Sequence, residues 1–293
     1  TDATFDASGR LITYTDTVQE DSNAGNYNTI HKATTTQRTS TTYNIKNQIT
    51  GYTEDITSSD APDLNRHIVS QDYIYSTDGK LLQYTNIETQ TGTTTQAGQT
   101  RTINLTTTTV KSNIQYSVLG PMIHYEDRIT TLGKTEIKDI SWTAISFDIL
   151  NRIKSYQDTT HTYGTGSSLD TTTVTNRTNI IYDGADRVIS YSDSARAFGT
   201  DENNVFQDVT INTTRNSITY DTLGRQKSYI DTIVNITASP DLVTTRTVIN
   251  MSYNGFGQLS DFDETSAQTE KTGTPLDIAL TTTTERRNIF YDR

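Results

Sequence analysis

The chain contains no cysteine. A disulfide framework, a thiolate metal site and a cysteine nucleophile are all excluded. Long apolar runs are missing as well. No stretch of about 18 apolar residues and no signal-peptide core occurs, so a soluble chain or a secreted, processed fragment is expected, with no membrane insertion. Basic residues are outnumbered, 24 Lys and Arg against 35 Asp and Glu, for a net charge of -11. That sign repels phosphate backbones and anionic lipid, which removes nucleic acid from the expected partners. Hydrophobic residues make up only 32% of the 293 positions, and mean hydropathy is -0.62. A thin core is expected.

Threonine is what the chain has in place of these, at 60 positions, while Ala, Leu, Lys and Glu are scarce. β-Branched residues suit a pleated, half-solvated surface, so the composition points to strands and away from helices. The 17 Tyr separate the chain from disordered sequences, which lack the aromatic surface that offsets chain entropy.

Periodicity carries most of the information. An aromatic residue followed by a turn former recurs at Phe5-Asp6, Tyr43-Asn44, Tyr75-Ser76, Tyr116-Ser117, Phe147-Asp148, Tyr182-Asp183, Tyr220-Asp221, Tyr253-Asn254 and Tyr291-Asp292. Four residues after the first eight aromatics stand Gly9, Asn47, Gly79, Gly120, Asn151, Asp186, Gly224 and Gly257. These residue types tolerate a positive φ, so each segment reads as a tight turn closed by a bulge at a hairpin tip. Nine residues after each aromatic comes a second ring: Tyr14, Tyr52, Tyr84, Tyr125, Tyr156, Tyr191, Tyr229 and Phe262. The two ring columns are expected to stack as ladders and to supply most of the core. The residue two before the first ring is usually apolar, as at Ile114, Ile145, Ile180, Ile218, Met251 and Ile289. The position six after it is apolar in seven of eight copies, with Gln226 the exception. Positions six and nine have opposite parity, so either both faces of the return strand are partly covered or a bulge intervenes.

The expected fold is all-β: tandem β-hairpin repeats, eight in number, stacked into a continuous elongated or spiralling sheet as a fibre-like array. Spacings between motifs run from 31 to 41 residues, and in pairs they come to 70, 72, 73 and 71. The residue after the turn is basic in every odd copy (Arg10, Lys80, Arg152, Arg225). A two-hairpin unit is therefore expected four times, over 1-70, 71-142, 143-215 and 216-286, with 287-293 starting the next. Intervening segments such as Gln19-Lys32 and Ala195-Asp208 are expected to decorate the outside.

The stretches FDASGRLITYTD at Phe5-Asp16, FDILNRIKSYQD at Phe147-Asp158 and YDTLGRQKSYID at Tyr220-Asp231 resemble the YD-repeat (Rhs-type) family. The resemblance implies β-hairpins wound into long sheets, found on bacterial surfaces and in adhesion receptors and often closed into shells around a toxin. The period here is longer than is usual in that family, and no self-cleaving segment follows the repeats. Those departures favour an open fibre or wall over a cargo shell.

Catalysis is not expected, because His31, His67, His124 and His161 fall at unrelated repeat positions. An acidic column two residues beyond the second ring (Asp16, Glu54, Asn86, Asp127, Asp158, Asp193, Asp231, Glu264) admits a Ca²⁺ ladder as one reading. One carboxylate per repeat falls far short of the six to eight oxygens calcium takes, so solvated charges or partners for the Arg and Lys after the turns are the favoured reading, and no cofactor is expected. The expected role is an extracellular or cell-surface structural element, bacterial in origin, forming part of a fibre, tube or stalk with neighbouring copies end to end or side by side. An adhesin or toxin-encapsulating shell segment is the alternative.

Overall fold

The structure is a computed structural model that describes residues 2–22, 30–59, 61–96, 99–237, 242–254, 257–270, 280–287 and 289. Tyr291 and Asp292 of the ninth motif, and most of the tract between Gln19 and Lys32, lie outside the described residues. The fold is all-β, and no helix occurs among the described residues. Two compact units divide the chain, Thr1–Ile140 and Ser141–Asp292.

In the first unit the strands are β1 (Ala3–Phe5), β2 (Leu11–Ser22), β3 (Ile30–Tyr43), β4 (Ile49–Ser58), β5 (Ala61–Tyr75), β6 (Leu81–Gln96), β7 (Gln99–Tyr116) and β8 (Met122–Thr131). Each pairs antiparallel with the next. Strand β9 (Glu136–Phe147) spans the boundary. The second unit runs through β10 (Ile153–Gly164), β11 (Asp170–Tyr182), β12 (Val188–Thr200), β13 (Phe206–Tyr220), β14 (Gln226–Asn235), β15 (Leu242–Tyr253), β16 (Leu259–Glu270) and β17 (Leu280–Arg286). Consecutive strands again pair antiparallel. Every predicted hairpin tip sits between an odd-numbered strand, here called outgoing, and the even-numbered return strand that follows it.

The long period has a simple origin: both ends of each strand turn back into the sheet. The tract Ala195–Asp208, expected to decorate the outside, is paired strand on both sides of a five-residue turn. Residues Ala195 to Thr200 lie opposite Ile211 to Phe206. A second turn of the tip type joins them, with Asn204 at φ 63° and its N–H bonded to the Asp201 carbonyl at 3.0 Å. The sequence signal for that turn is Asp201 followed three residues later by Asn204, a pair that stands outside the aromatic motif.

The parity conflict is resolved by paired bulges in the stems β3–β4, β5–β6, β7–β8, β11–β12, β13–β14 and β15–β16. In β11 and β12, Thr178 faces Ser192, Ile181 faces Ser190 and Tyr182 faces Val188. One extra residue is thus inserted on each strand, which restores the register while turning side chains over. On the return strand this brings positions six and nine to the same face. On the outgoing strand it brings the positions five and two before the ring together. The outgoing bulge is built on a non-glycine residue in the left-handed region: Asp72, Asn113, Asn179, Ser217 and Asn250, with φ from 52 to 60°. Asn and Asp pay least for that conformation among residues with a Cβ.

The apolar core lies where the bulges direct it. Ile114, Ile180 and Ile218, two before the ring, are only 4 to 7% exposed, and with Tyr229 and Val248 they are the buried hydrophobics among the described residues. In the second unit Ile218, Tyr229 and Val248 pack together, and Val188, Tyr191, Tyr220, Met251 and Phe262 close around them. The copy with Ala144 at the bulge position has no left-handed residue there, and its Ile145 is 60% exposed.

Candidate functional site: a self-joining hairpin ladder

At the tip that follows Phe5, the Asp6 N–H donates to the Arg10 carbonyl and the Gly9 N–H to the Asp6 carbonyl, both at 2.9 Å. The same pair of backbone bonds recurs after Tyr43, Tyr75, Tyr116, Phe147, Tyr182, Tyr220 and Tyr253. Gly9, Asn47, Gly79, Gly120, Asn151, Asp186, Gly224 and Gly257 all have positive φ, from 61 to 108°. The first turn residue caps its own turn. Asp6 Oδ1 accepts the Ser8 and Arg10 N–H groups at 2.8 and 2.9 Å, and Oδ2 accepts Arg10 Nε at 2.6 Å. Asp148 with Arg152, Asp183 with Arg187 and Asp221 with Arg225 repeat this arrangement. Where the acid is replaced by Asn, the cation is replaced by Gln: Asn44 pairs with Gln48 and Asn254 with Gln258. The backbone N–H of Arg10, Arg152 and Arg225 holds the Asp6, Asp148 and Asp221 carboxyls below the ordinary carboxylate range, with the guanidiniums adding to it.

The residue after each turn also reaches forward. Arg10 lies 4.8 Å from the Tyr43 ring, Arg152 4.5 Å from Tyr182, Arg187 4.6 Å from Tyr220 and Arg225 4.7 Å from Tyr253. Arg10 additionally donates to Asn47 Oδ1 and Arg152 to Asp186 Oδ1, so one turn is tied to the next. The ring completes the junction. Tyr43, Tyr75, Tyr116, Tyr182, Tyr220 and Tyr253 each donate their hydroxyl to a backbone carbonyl of the preceding hairpin: Leu11, Ile49, Leu81, Ile153, Val188 and Gln226 in turn. The acceptor is always the residue six after the preceding ring. This explains Tyr in place of Phe in the first column; Phe5 and Phe147 carry no such donor.

Tyr14, Tyr52, Tyr156, Tyr191 and Tyr229 of the second column do not stack on one another among the described residues. The column's members lie on alternate strands, roughly 10 Å apart, too far for direct contact, and the strand between supplies a cation. Arg38 sits 5.3 Å from the Tyr14 ring and 4.0 Å from Tyr52. Arg177 bridges Tyr156 and Tyr191, Arg215 bridges Tyr191 and Tyr229, and Lys111 covers Tyr125 at 3.4 Å. Tyr84 stacks instead on Tyr73, centroids 5.6 Å apart. Along Tyr14 and Tyr52, and along Tyr156, Tyr191 and Tyr229, the expected stack of rings is thus an alternation of rings and cations.

Those cations stand five residues before the first ring, and each faces the acidic column directly across the sheet. Arg38 is opposite Glu54, Lys111 opposite Asp127, Arg177 opposite Asp193 and Arg215 opposite Asp231. The ion-pair distances are 2.6 to 2.8 Å. Asp231 is 3% exposed and Glu54 8%. At these four places the column pairs with cations in mid-strand, whereas the Arg residues after the turns pair with the turn acids, Arg152 also reaching Asp186 of the next tip. Two copies depart together: where the cation is Ser70 the acid is Asn86, and the two side chains hydrogen-bond at 2.5 Å. In the copy with Val248 opposite Glu264, Arg246 stands two residues earlier and takes the carboxylate at 2.7 Å. Trp142 occupies the cation position in one copy, and burial there pushes the Asp158 carboxyl up.

The site is a joint. Within each unit it binds a hairpin to the next through backbone, hydroxyl, ring and charge. No group of three His, Asp or Glu side chains positioned to hold a metal ion occurs among the described residues. His67 pairs with Asp55 and His161 with Asp170, on separate strands. Sequence reasoning missed the cation column and the left-handed bulge column. Each leaves a trace at a fixed offset, Arg or Lys five residues and Asn, Asp or Ser three residues before the ring. No protein-family model matches the chain, and no curated protein matches it.

Proposed function

We propose that this chain is an extracellular structural repeat element, a length of fibre, tube or surface stalk whose natural neighbours are further repeats of the same kind. One observation carries the reading: six junctions use the same Tyr hydroxyl to the same carbonyl position of the preceding hairpin. A sequence that spends its recurrent side chains on joining one repeat to the next is organised for extension. The likeness of Phe5-Asp16 and Tyr220-Asp231 to YD repeats agrees with placement on a bacterial surface. Antibodies raised against the folded chain should label extended material outside intact source cells in immuno-electron microscopy. Label confined to the cell interior would overturn the reading.

An adhesive or encapsulating module is the second reading. It is favoured by the apolar residues at the hairpin tips, where Ile45, Val118 and Ile149 are fully exposed and Leu119, Leu150 and Leu223 largely so. Replacing these six by Ser should leave cell-surface labelling intact under the structural reading and abolish attachment under the adhesive one.

A further inference from the structure

We infer that Trp142, Tyr156 and Asp158 form a binding site for a guanidinium group supplied from outside the chain, the side chain of arginine either free or within a peptide. The inference stands apart from the structural role proposed above and uses only residues of the second unit.

The chain supplies its own pattern for the site. At Arg38, Arg177 and Arg215 a guanidinium lies 3.8 to 4.0 Å from the second-column ring Tyr52, Tyr191 or Tyr229. It pairs, at 2.6 to 2.7 Å, with the carboxylate two residues beyond that ring. Each of these cations stands five residues before a first-column ring, and before Phe147 that position holds Trp142. The return strand keeps the other two parts, Tyr156 as the ring and Asp158 as the carboxylate. This copy thus retains the acceptor and the aromatic wall and has lost the cation.

Strands β9 and β10 are paired, and the Trp142 and Tyr156 rings meet with their centroids 5.8 Å apart and their planes tilted by 43°. An indole is the strongest cation–π partner among side chains, so the exchange of Arg for Trp replaces a charge with a surface that attracts one. On the other flank of β10, Asp158 faces Thr175 and Tyr156 faces Arg177. Arg177 is committed to Asp193 through two hydrogen bonds of 2.8 and 2.7 Å. Burial pushes the Asp158 carboxyl up, the Thr160 hydroxyl donates to it, and no cation acts on it among the described residues. Trp142 and Asp158 are both half-buried, which leaves each a face for a ligand. The shape of the group follows from the pattern. A guanidinium can stack its plane on a ring while its fork bonds a carboxylate twice, as Arg177 and Arg215 do with Asp193 and Asp231. A quaternary ammonium would meet the rings but has no N–H to give Asp158.

Trp142 is the single tryptophan of the chain, so tryptophan fluorescence reports on this place alone. L-Arginine amide titrated into the full chain at neutral pH should change that emission to saturation. L-Citrulline amide, of similar shape and without the charge, should not. Asp158→Asn should weaken half-saturation by about tenfold or more, as the loss of a charge-assisted pair implies. Trp142→Arg returns the cation to the chain, so arginine amide should raise the melting temperature of wild type and leave that of this variant unmoved. The peptide acetyl-Gly-Arg-Gly-amide separates the two sources. Half-saturation below that of arginine amide assigns the site to an arginine of a protein partner, and an equal or higher value assigns it to the free amino acid. The proposal is overturned by a wild-type chain with no saturable change, by an equal response in Asp158→Asn, or by a response to tetramethylammonium without one to arginine amide.

Discussion

Gly224 has a φ of +81°, and a Cβ added there would meet nothing within 4 Å. The cost of a side chain at this tip is therefore conformational and not steric. Gly224→Asn should change stability by no more than a few tenths of a kcal/mol, because Asn47 and Asn151 already hold the same place at φ 62 and 63°. Gly224→Val should cost about 1–2 kcal/mol or more, read from urea melts of the two variants side by side. Equal tolerance would remove the left-handed closure from the account. The capping carboxylates give the tips a pH dependence. Asp148, Asp183 and Asp221 are held below their ordinary value of 3.8, so their contribution is fully present above that value and is lost as pH falls through the lower folded one. Melting temperature should accordingly hold from neutral pH to about pH 5 and drop below about pH 4. Asp158 acts in the opposite sense, since burial raises it and its ionised form is the costly one. Asp158→Asn should raise the melting temperature at neutral pH and make no difference under acid conditions. A lower neutral-pH melting temperature for this variant would contradict the assignment.

At the scale of the hairpin, the cation and acid columns behave as one unit. Asp231 is 3% exposed and held by Arg215 through two hydrogen bonds of 2.7 Å. Removing one partner strands a buried charge, so Arg215→Ser should destabilise by about 3–5 kcal/mol. The double variant Arg215→Ser/Asp231→Asn reproduces the Ser70–Asn86 copy and should recover most of that loss. A cycle with no coupling between the two sites would mean that the covariation of Ser70 with Asn86 is accidental. The hairpin also shows what a reader of the sequence could and could not see. The tips were legible because Gly, Asn and Asp recur at a fixed place for a local backbone reason. The direction of the strands was not, because the bulge at Asn113, Asn179 and Asn250 sits inside Thr-rich sequence where a single Asn carries no obvious turn signal. Without that bulge the parity of Arg177 and Ile180 places them on opposite faces. The partner of the acidic column was missed for the same reason, since Arg215 and Asp231 meet only across the sheet.

At the scale of the whole molecule, repeat joins repeat within each unit by the Tyr hydroxyl, with a cation over the ring at Tyr43, Tyr116, Tyr182, Tyr220 and Tyr253. Tyr182→Phe deletes the 2.6 Å bond to the Ile153 carbonyl while keeping the ring under Arg152. It should cost about 0.5–1.5 kcal/mol, and hydrogen exchange should quicken at the junction of β10 with β11 before it does so at the tips. The all-β architecture of successive antiparallel hairpins was legible because it follows from composition and spacing. The joint was not, because it is made of side chains that lie about 30 positions apart in sequence and meet only once the strands are in register. Each hairpin has few apolar side chains to bury, so stability is held by junctions and should grow with their number. Thermal melting of chains carrying two, four, six and eight hairpins tests this most directly. The melting temperature should rise with each added pair and then level off, whereas a two-hairpin chain that melts with the full-length protein would show the hairpins to be independent and contradict the ladder.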